Sequence, residues 1–166
     1  MYQLGELVVY SSHGVCRVAD MEQRIVDKKT VSYYVLCPLN SEKTKYYIPA
    51  HNQAAMGKLR YLITREELVR ILQDPGIHAD CWIPEENKRK LRYKVLSGSG
   101  DFFAMVQMVC SLQAHQRQQI AAGRKFHMVD ENFLREAQKT LESELSIVLQ
   151  VAASAVKETI EQLLHT

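Results

Sequence analysis

Two hydrophobic periodicities divide the chain. Over the first fifty residues the apolar positions form short runs rich in β-branched and aromatic side chains. These are LVVY (7–10), GVCRVADM (14–21), VSYYVLC (31–37) and TKYYIP (44–49). Such composition suits strands, and turn formers separate the runs: Ser11-Ser12-His13-Gly14, Asp27-Lys28-Lys29 and Pro38-Leu39-Asn40-Ser41. EQRIV (22–26) either extends the second strand or forms a third. Five short strands in about fifty residues predict a small barrel of the SH3 or Tudor type, with one edge left free for a partner strand.

From residue 60 the period is helical. TREELVRILQD (64–74) opens on a capping box, Thr64 with Glu67, and stops at Pro75-Gly76. Pro84 suits the first position of the next helix, and Gly98 its end. SGSGD (97–101) restarts the chain with Ser99 or Asp101 as cap, and the apolar segment FFAMVQMVCSL continues towards Gly123. Asp130 is read as the start of the following helix, in which Phe133, Leu134, Ala137, Leu141, Leu145 and Val148 fall on one stripe. A last helix covers 154–164. The fold class is therefore α+β: an N-terminal Tudor/SH3-like β-barrel (1–56) followed by an all-helical bundle domain (57–166), with a linker near 51–62.

Charge changes this picture more than composition does. The net charge of +2 conceals a basic middle and an acidic tail. Residues 57–129 carry twelve Lys/Arg against seven Asp/Glu, and residues 130–166 three against seven. The densest positive run is KRKLRYK (88–94), six residues after Trp82, the one tryptophan of the chain. No acid lies within 88–98. The run is a solvated helix face or a phosphate-holding one; Trp82 is a core anchor or an apolar wedge beside it.

Enzymatic constellations are missing. The six histidines (13, 51, 78, 115, 127, 165) make no HxH or HxxxH pair. The four cysteines (16, 37, 81, 110) make no CxxC, no GxSxG elbow occurs, and SGSGD lacks the GxxxxGK[ST] pattern and reads as a turn between helices. Glu66-Glu67 and Glu85-Glu86 sit where first helical turns favour acids. We expect a cytosolic binding protein with reduced thiols, no cofactor, no metal, no membrane span and no small-molecule substrate.

The order of motifs resembles the CarD/CdnL family of bacterial transcription regulators. LGELVVYSSHGVCRVADMEQR (4–24), YYVLCP (33–38) and YIPA (47–50) are similar to its N-terminal module, which is shared with the RNA-polymerase-interacting domain of transcription-repair coupling factor. Trp82, the run 88–94, KVLSGSGD (94–101) and LREAQKTLESELSIVL (134–149) follow in the family's order. The resemblance implies a barrel that binds the polymerase β subunit along a strand edge, with Arg24, Tyr34, Tyr46, Tyr47, Ile48 and Pro49 as contacts. It implies a helical domain that meets promoter DNA weakly and without sequence preference, at the minor groove beside the melted region. There Trp82 would wedge, and Lys88, Arg89, Lys90, Arg92 and Lys94 would hold the backbone. The outcome would be a changed open-complex lifetime without covalent chemistry. Three places depart from the pattern. Ser11-Ser12 stand where proline is common, Tyr47 where a basic residue is common, and Ile83-Pro84-Glu85-Glu86 follow Trp82 where the family is often basic. The alternative is an interaction module whose helical domain recruits a protein instead of DNA.

Overall fold

The computed structural model describes residues 1–164; His165 and Thr166 lie outside the described residues. The chain forms two compact units, Met1–Leu62 and Ile63–Thr166.

The first unit is one antiparallel sheet of five strands. They are β1 (Leu7–Tyr10), β2 (Val15–Val26), β3 (Lys29–Pro38), β4 (Tyr46–Pro49) and β5 (Leu59–Tyr61), in the order β4-β3-β2-β1-β5. EQRIV extends β2. Its hairpin with β3 closes through Asp27 and Lys28, both at positive φ (50° and 64°). Such a two-residue turn matches the right-handed twist of the flanking strands. A bulge between Val18 and Asp20 bends β2 over the sheet. The enclosed core is Val8, Cys16, Val18, Tyr34, Leu36, Ile48 and Leu59. The fifth strand lies beyond the expected end of the barrel at residue 56. HNQAAMGKLR is not a plain linker: Asn52 caps a single turn, α1 (Gln53–Met56), and β5 then pairs with β1.

The second unit is helical: α2 (Arg65–Gln73), α3 (Glu86–Ser99), α4 (Phe102–Ala121), α5 (Met128–Leu149) and α6 (Val156–Leu164). The capping box of α2 is present in both directions, with Thr64 Oγ1 accepting from Glu67 N at 3.1 Å and Glu67 Oε2 from Thr64 N at 2.7 Å. Asp101 caps α4 by accepting from Ala104 N at 3.1 Å, and Gly100, left-handed at φ 66°, ends α3. The core joins Leu68, Tyr93, Leu96, Phe102, Met108, Leu112 and the α5 stripe from Leu134 to Leu149. Three helix starts differ from expectation, that of α6 at Val156 only because a 3-10 turn over Ala153–Ala155 precedes it. Pro84 precedes α3 by two residues, with Glu85 at the N-cap, because carbonyls 83 and 84 are drawn elsewhere, as shown below. The helix expected to open on Asp130 begins at Met128, and Asp130 is not a cap. Its carboxylate turns into the protein.

Candidate polymerase-binding edge and the tryptophan site

Among the described residues of the first unit β4 is an outer strand, with β3 as its one hydrogen-bonded strand neighbour. Alternation along β4 sends Tyr46 and Ile48 to the barrel core and Tyr47 and Pro49 to the opposite face. On that opposite face Tyr47 is registered with Val35, and Glu22 of β2 with Tyr33 of β3, which in turn faces Pro49. Arg24, two residues beyond Glu22, therefore shares the face with Tyr33 and Tyr47. Its guanidinium lies 4.3 Å from the Tyr47 ring centre and 5.9 Å from that of Tyr33, and it donates to Glu22 Oε2 at 3.1 Å. The hydrogen bond to Glu22 holds the Arg24 guanidinium even more firmly protonated than usual. A fixed, exposed cation thus stands on an aromatic platform next to an unpaired strand edge. The six expected polymerase contacts divide accordingly. Arg24, Tyr47 and Pro49 come together. Tyr34 and Ile48 are core residues, 3% and 4% exposed, and Tyr46 packs on Tyr10 and His13. The side chains of these three hold the edge strand in place and do not present themselves on it.

In the second unit the basic run is not one face. Arg89 is 3% exposed and points inward. Its Nε and Nη2 donate to the two carboxylate oxygens of Asp130 at 2.7 and 2.8 Å, and Tyr93 Oη donates to Asp130 Oδ1 at 2.5 Å. Its Nη1 donates to the carbonyls of Ile83 and Pro84 at 3.1 and 3.3 Å. One side chain therefore ties the loop before α3 to the first turn of α5. Burial beside the carboxylate pushes the Tyr93 hydroxyl far above the usual tyrosine range. The expectation that Arg89 holds a DNA backbone is corrected: every guanidinium nitrogen has a partner inside the unit. Lys88 and Lys90 are exposed or half-exposed but pair with Glu85 (3.1 Å) and Glu86 (3.3 Å). Arg92 and Lys94 are exposed, and neither has an ion pair among the described residues.

Trp82 is half-buried against the helical core. The Arg89 guanidinium lies 4.2 Å from its ring, and His115 of α4 stacks on it at 4.1 Å with planes 19° apart. Asp80 completes the arrangement. Its Oδ1 accepts from Trp82 N at 3.0 Å and from Ser111 Oγ at 2.9 Å, and lies 3.3 Å from His115 Nε2. These hydrogen bonds, that from Trp82 N foremost, hold the Asp80 carboxyl below the usual range. Trp82 is thus an anchor whose ring already has stacking partners. A base could replace His115 there only by displacing it. Beside it lies an open cleft of about 450 Å³ lined by His78, Asp80, Ser111, His115, Arg117 and Gln118.

Three cations escaped the sequence reading: Arg117, Arg124 and Lys125, all exposed around the end of α4 and the turn into α5. No window there is dense in charge. Their signal is the lack of any Asp or Glu between Asp101 and Asp130. Among the described residues no group of three or more His, Cys, Asp or Glu could hold a metal ion, and no helix is long and apolar enough to cross a membrane.

Residues 2–60 match the family model of the CarD-like/TRCF RID domain. The match covers the five-stranded unit almost end to end and stops before the helical one. No curated protein matches the chain. The N-terminal unit is therefore a module of the RNA-polymerase-interacting type, which ties the chain to transcription.

Proposed function

From a CarD-like/TRCF RID module joined to a helical unit, we propose that the chain is a polymerase-bound transcription regulator that acts by binding and not by covalent chemistry. The barrel takes a strand of the polymerase β subunit along the free edge of β4. Backbone pairing supplies affinity there, and Arg24 on Tyr47 supplies a charged side-chain contact. The observation that carries this reading is the family match over residues 2–60, with an unpaired edge strand inside it.

Held on polymerase, the helical unit meets promoter DNA through phosphate contacts from Arg117, Arg124 and Lys125, with Trp82 nearby through its stack on His115. Neutralised phosphates release counterions, so this contact is salt-sensitive and blind to sequence. Alone it is weak; tethering by the barrel raises its effective concentration. A base reaches the Trp82 ring only by displacing His115, and unstacking that base costs a few kcal/mol more, least beside a duplex already melted, so the upstream edge of the bubble is the favoured place. A binder that prefers melted to closed promoter shifts the balance between them, and only that difference can.

The test is open-complex lifetime at a promoter, with and without the full chain. The charge reversals Arg117→Glu, Arg124→Glu and Lys125→Glu together should return the lifetime to its chain-free value while polymerase binding persists. A lifetime that the wild-type chain leaves unchanged, or a triple variant that acts like wild type, contradicts the DNA half of this reading.

A further inference from the structure

The side of α3 turned away from Arg89, Tyr93 and Leu96 carries two exposed large apolar residues, Leu91 at 62% and Val95 at 60%. At about 100° per residue they lie about 40° apart, one turn above the other. Arg92 and Lys94 fall about 60° to either side of this pair. The surface is therefore a short apolar stripe with a cation along each flank. The anchoring of the opposite face makes it rigid: Arg89 and Tyr93 are fixed to the buried Asp130, so α3 cannot roll to bury Leu91 and Val95.

Two partner classes suit cations on a helix, and the apolar pair separates them. A DNA backbone would engage Arg92 and Lys94 and leave Leu91 and Val95 in water. A protein helix covers the apolar stripe with its own i, i+4 residues and meets the flanking cations with Glu or Asp. The N-terminal cations of α3 are already matched by Glu85 and Glu86, so the unmatched positive charge lies beside the apolar pair and not along the whole helix. We infer that this face of α3 docks an acidic amphipathic helix belonging to the polymerase assembly that the barrel binds. The inference rests on the proposed function, because the barrel supplies the proximity that makes a two-turn contact sufficient.

The experiment uses the full chain and purified RNA polymerase holoenzyme without DNA. The variant L91S/V95S should weaken binding about tenfold, as expected for losing two apolar anchors, with thermal unfolding unchanged because both positions are exposed. A photo-cross-linking residue in place of Val95 should attach to an acidic helical segment of a polymerase subunit in that DNA-free complex. Unchanged affinity of L91S/V95S overturns the inference and leaves the barrel reading standing. A cross-link that forms only with promoter DNA, and to the DNA, also overturns it, in favour of a nucleic-acid face. Absence of any binding by the wild-type chain overturns the barrel reading and this one together.

Discussion

Replacing Asp130 by Asn keeps the shape of the side chain and removes the charge that the helical unit is built around. Asp130 is fully buried and accepts from Arg89 Nε, Arg89 Nη2 and Tyr93 Oη. In the variant an amide NH2 faces guanidinium donors, and Arg89, itself 3% exposed, is left as a buried cation without its counterion. Breaking a buried pair from one side costs about 3–5 kcal/mol. For a unit of this size each kcal/mol moves the melting temperature by about 4–8 °C, so a fall of at least about 12 °C is expected. The assay is built into the chain. Trp82 is its one tryptophan and belongs to the second unit, so urea or thermal unfolding followed by tryptophan emission reports that unit alone. Because Arg89 also holds carbonyls 83 and 84, the Trp82 environment should change before global unfolding. Replacing the three partners together, Arg89→Met, Tyr93→Phe and Asp130→Leu, should recover most of the loss, since neither a buried charge nor the buried Tyr93 hydroxyl is then left alone. An Asp130→Asn chain within about 1 kcal/mol of wild type would refute the claim that this pair organises the tryptophan site.

Three further outcomes follow from local geometry. Thr64→Ala removes one half of the capping box of α2 and should lower the stability of the helical unit by about 1 kcal/mol in urea unfolding, with Thr64→Ser restoring most of it. The Cys16 thiol, pushed up to about 11 chiefly by burial, should stay unalkylated by iodoacetamide at pH 8 while Cys37 reacts, as read by peptide mass spectrometry; equal rates would contradict its burial. The Asp80 carboxyl is held below its ordinary range by hydrogen bonds from Trp82 N, Ser111 and His115. Its stabilising contribution is therefore present above the unfolded value near about 3.9 and is lost as pH falls through the folded one. The gap in unfolding midpoint between wild type and Asp80→Asn should narrow from pH 6 to pH 3, and a gap that widens would contradict the assignment.

Much of the fold is legible in the sequence because local signals agree with tertiary structure. The capping box at Thr64, the Asp101 cap and the β-branched and aromatic runs of β2 and β3 each state their own conformation. The fifth strand is not legible, since Leu59–Tyr61 is three residues long with one buried position, and pairing with β1 decides its conformation. In the site, linear charge density misleads. KRKLRYK looks uniform, but helical spacing sends Arg89 to the core and Arg92 and Lys94 to the surface. Asp130 reads as a cap because Asp is a favoured N-cap residue before an apolar stripe; its partner, Arg89, lies 41 residues away, a distance no local pattern spans. Arg24 on Tyr47 is likewise a contact between β2 and β4 that depends on register.

The central claim is that the barrel binds polymerase through the β4 edge and the Arg24–Tyr47 platform. It is tested most directly by the affinity of the full chain for purified RNA polymerase, wild type against Arg24→Glu and Tyr47→Ala. Both residues are exposed, so both variants should fold as wild type does. The account predicts binding by the wild-type chain and a loss of roughly tenfold or more in each variant. A wild-type chain that does not bind, or an Arg24→Glu chain that binds equally well, would contradict it.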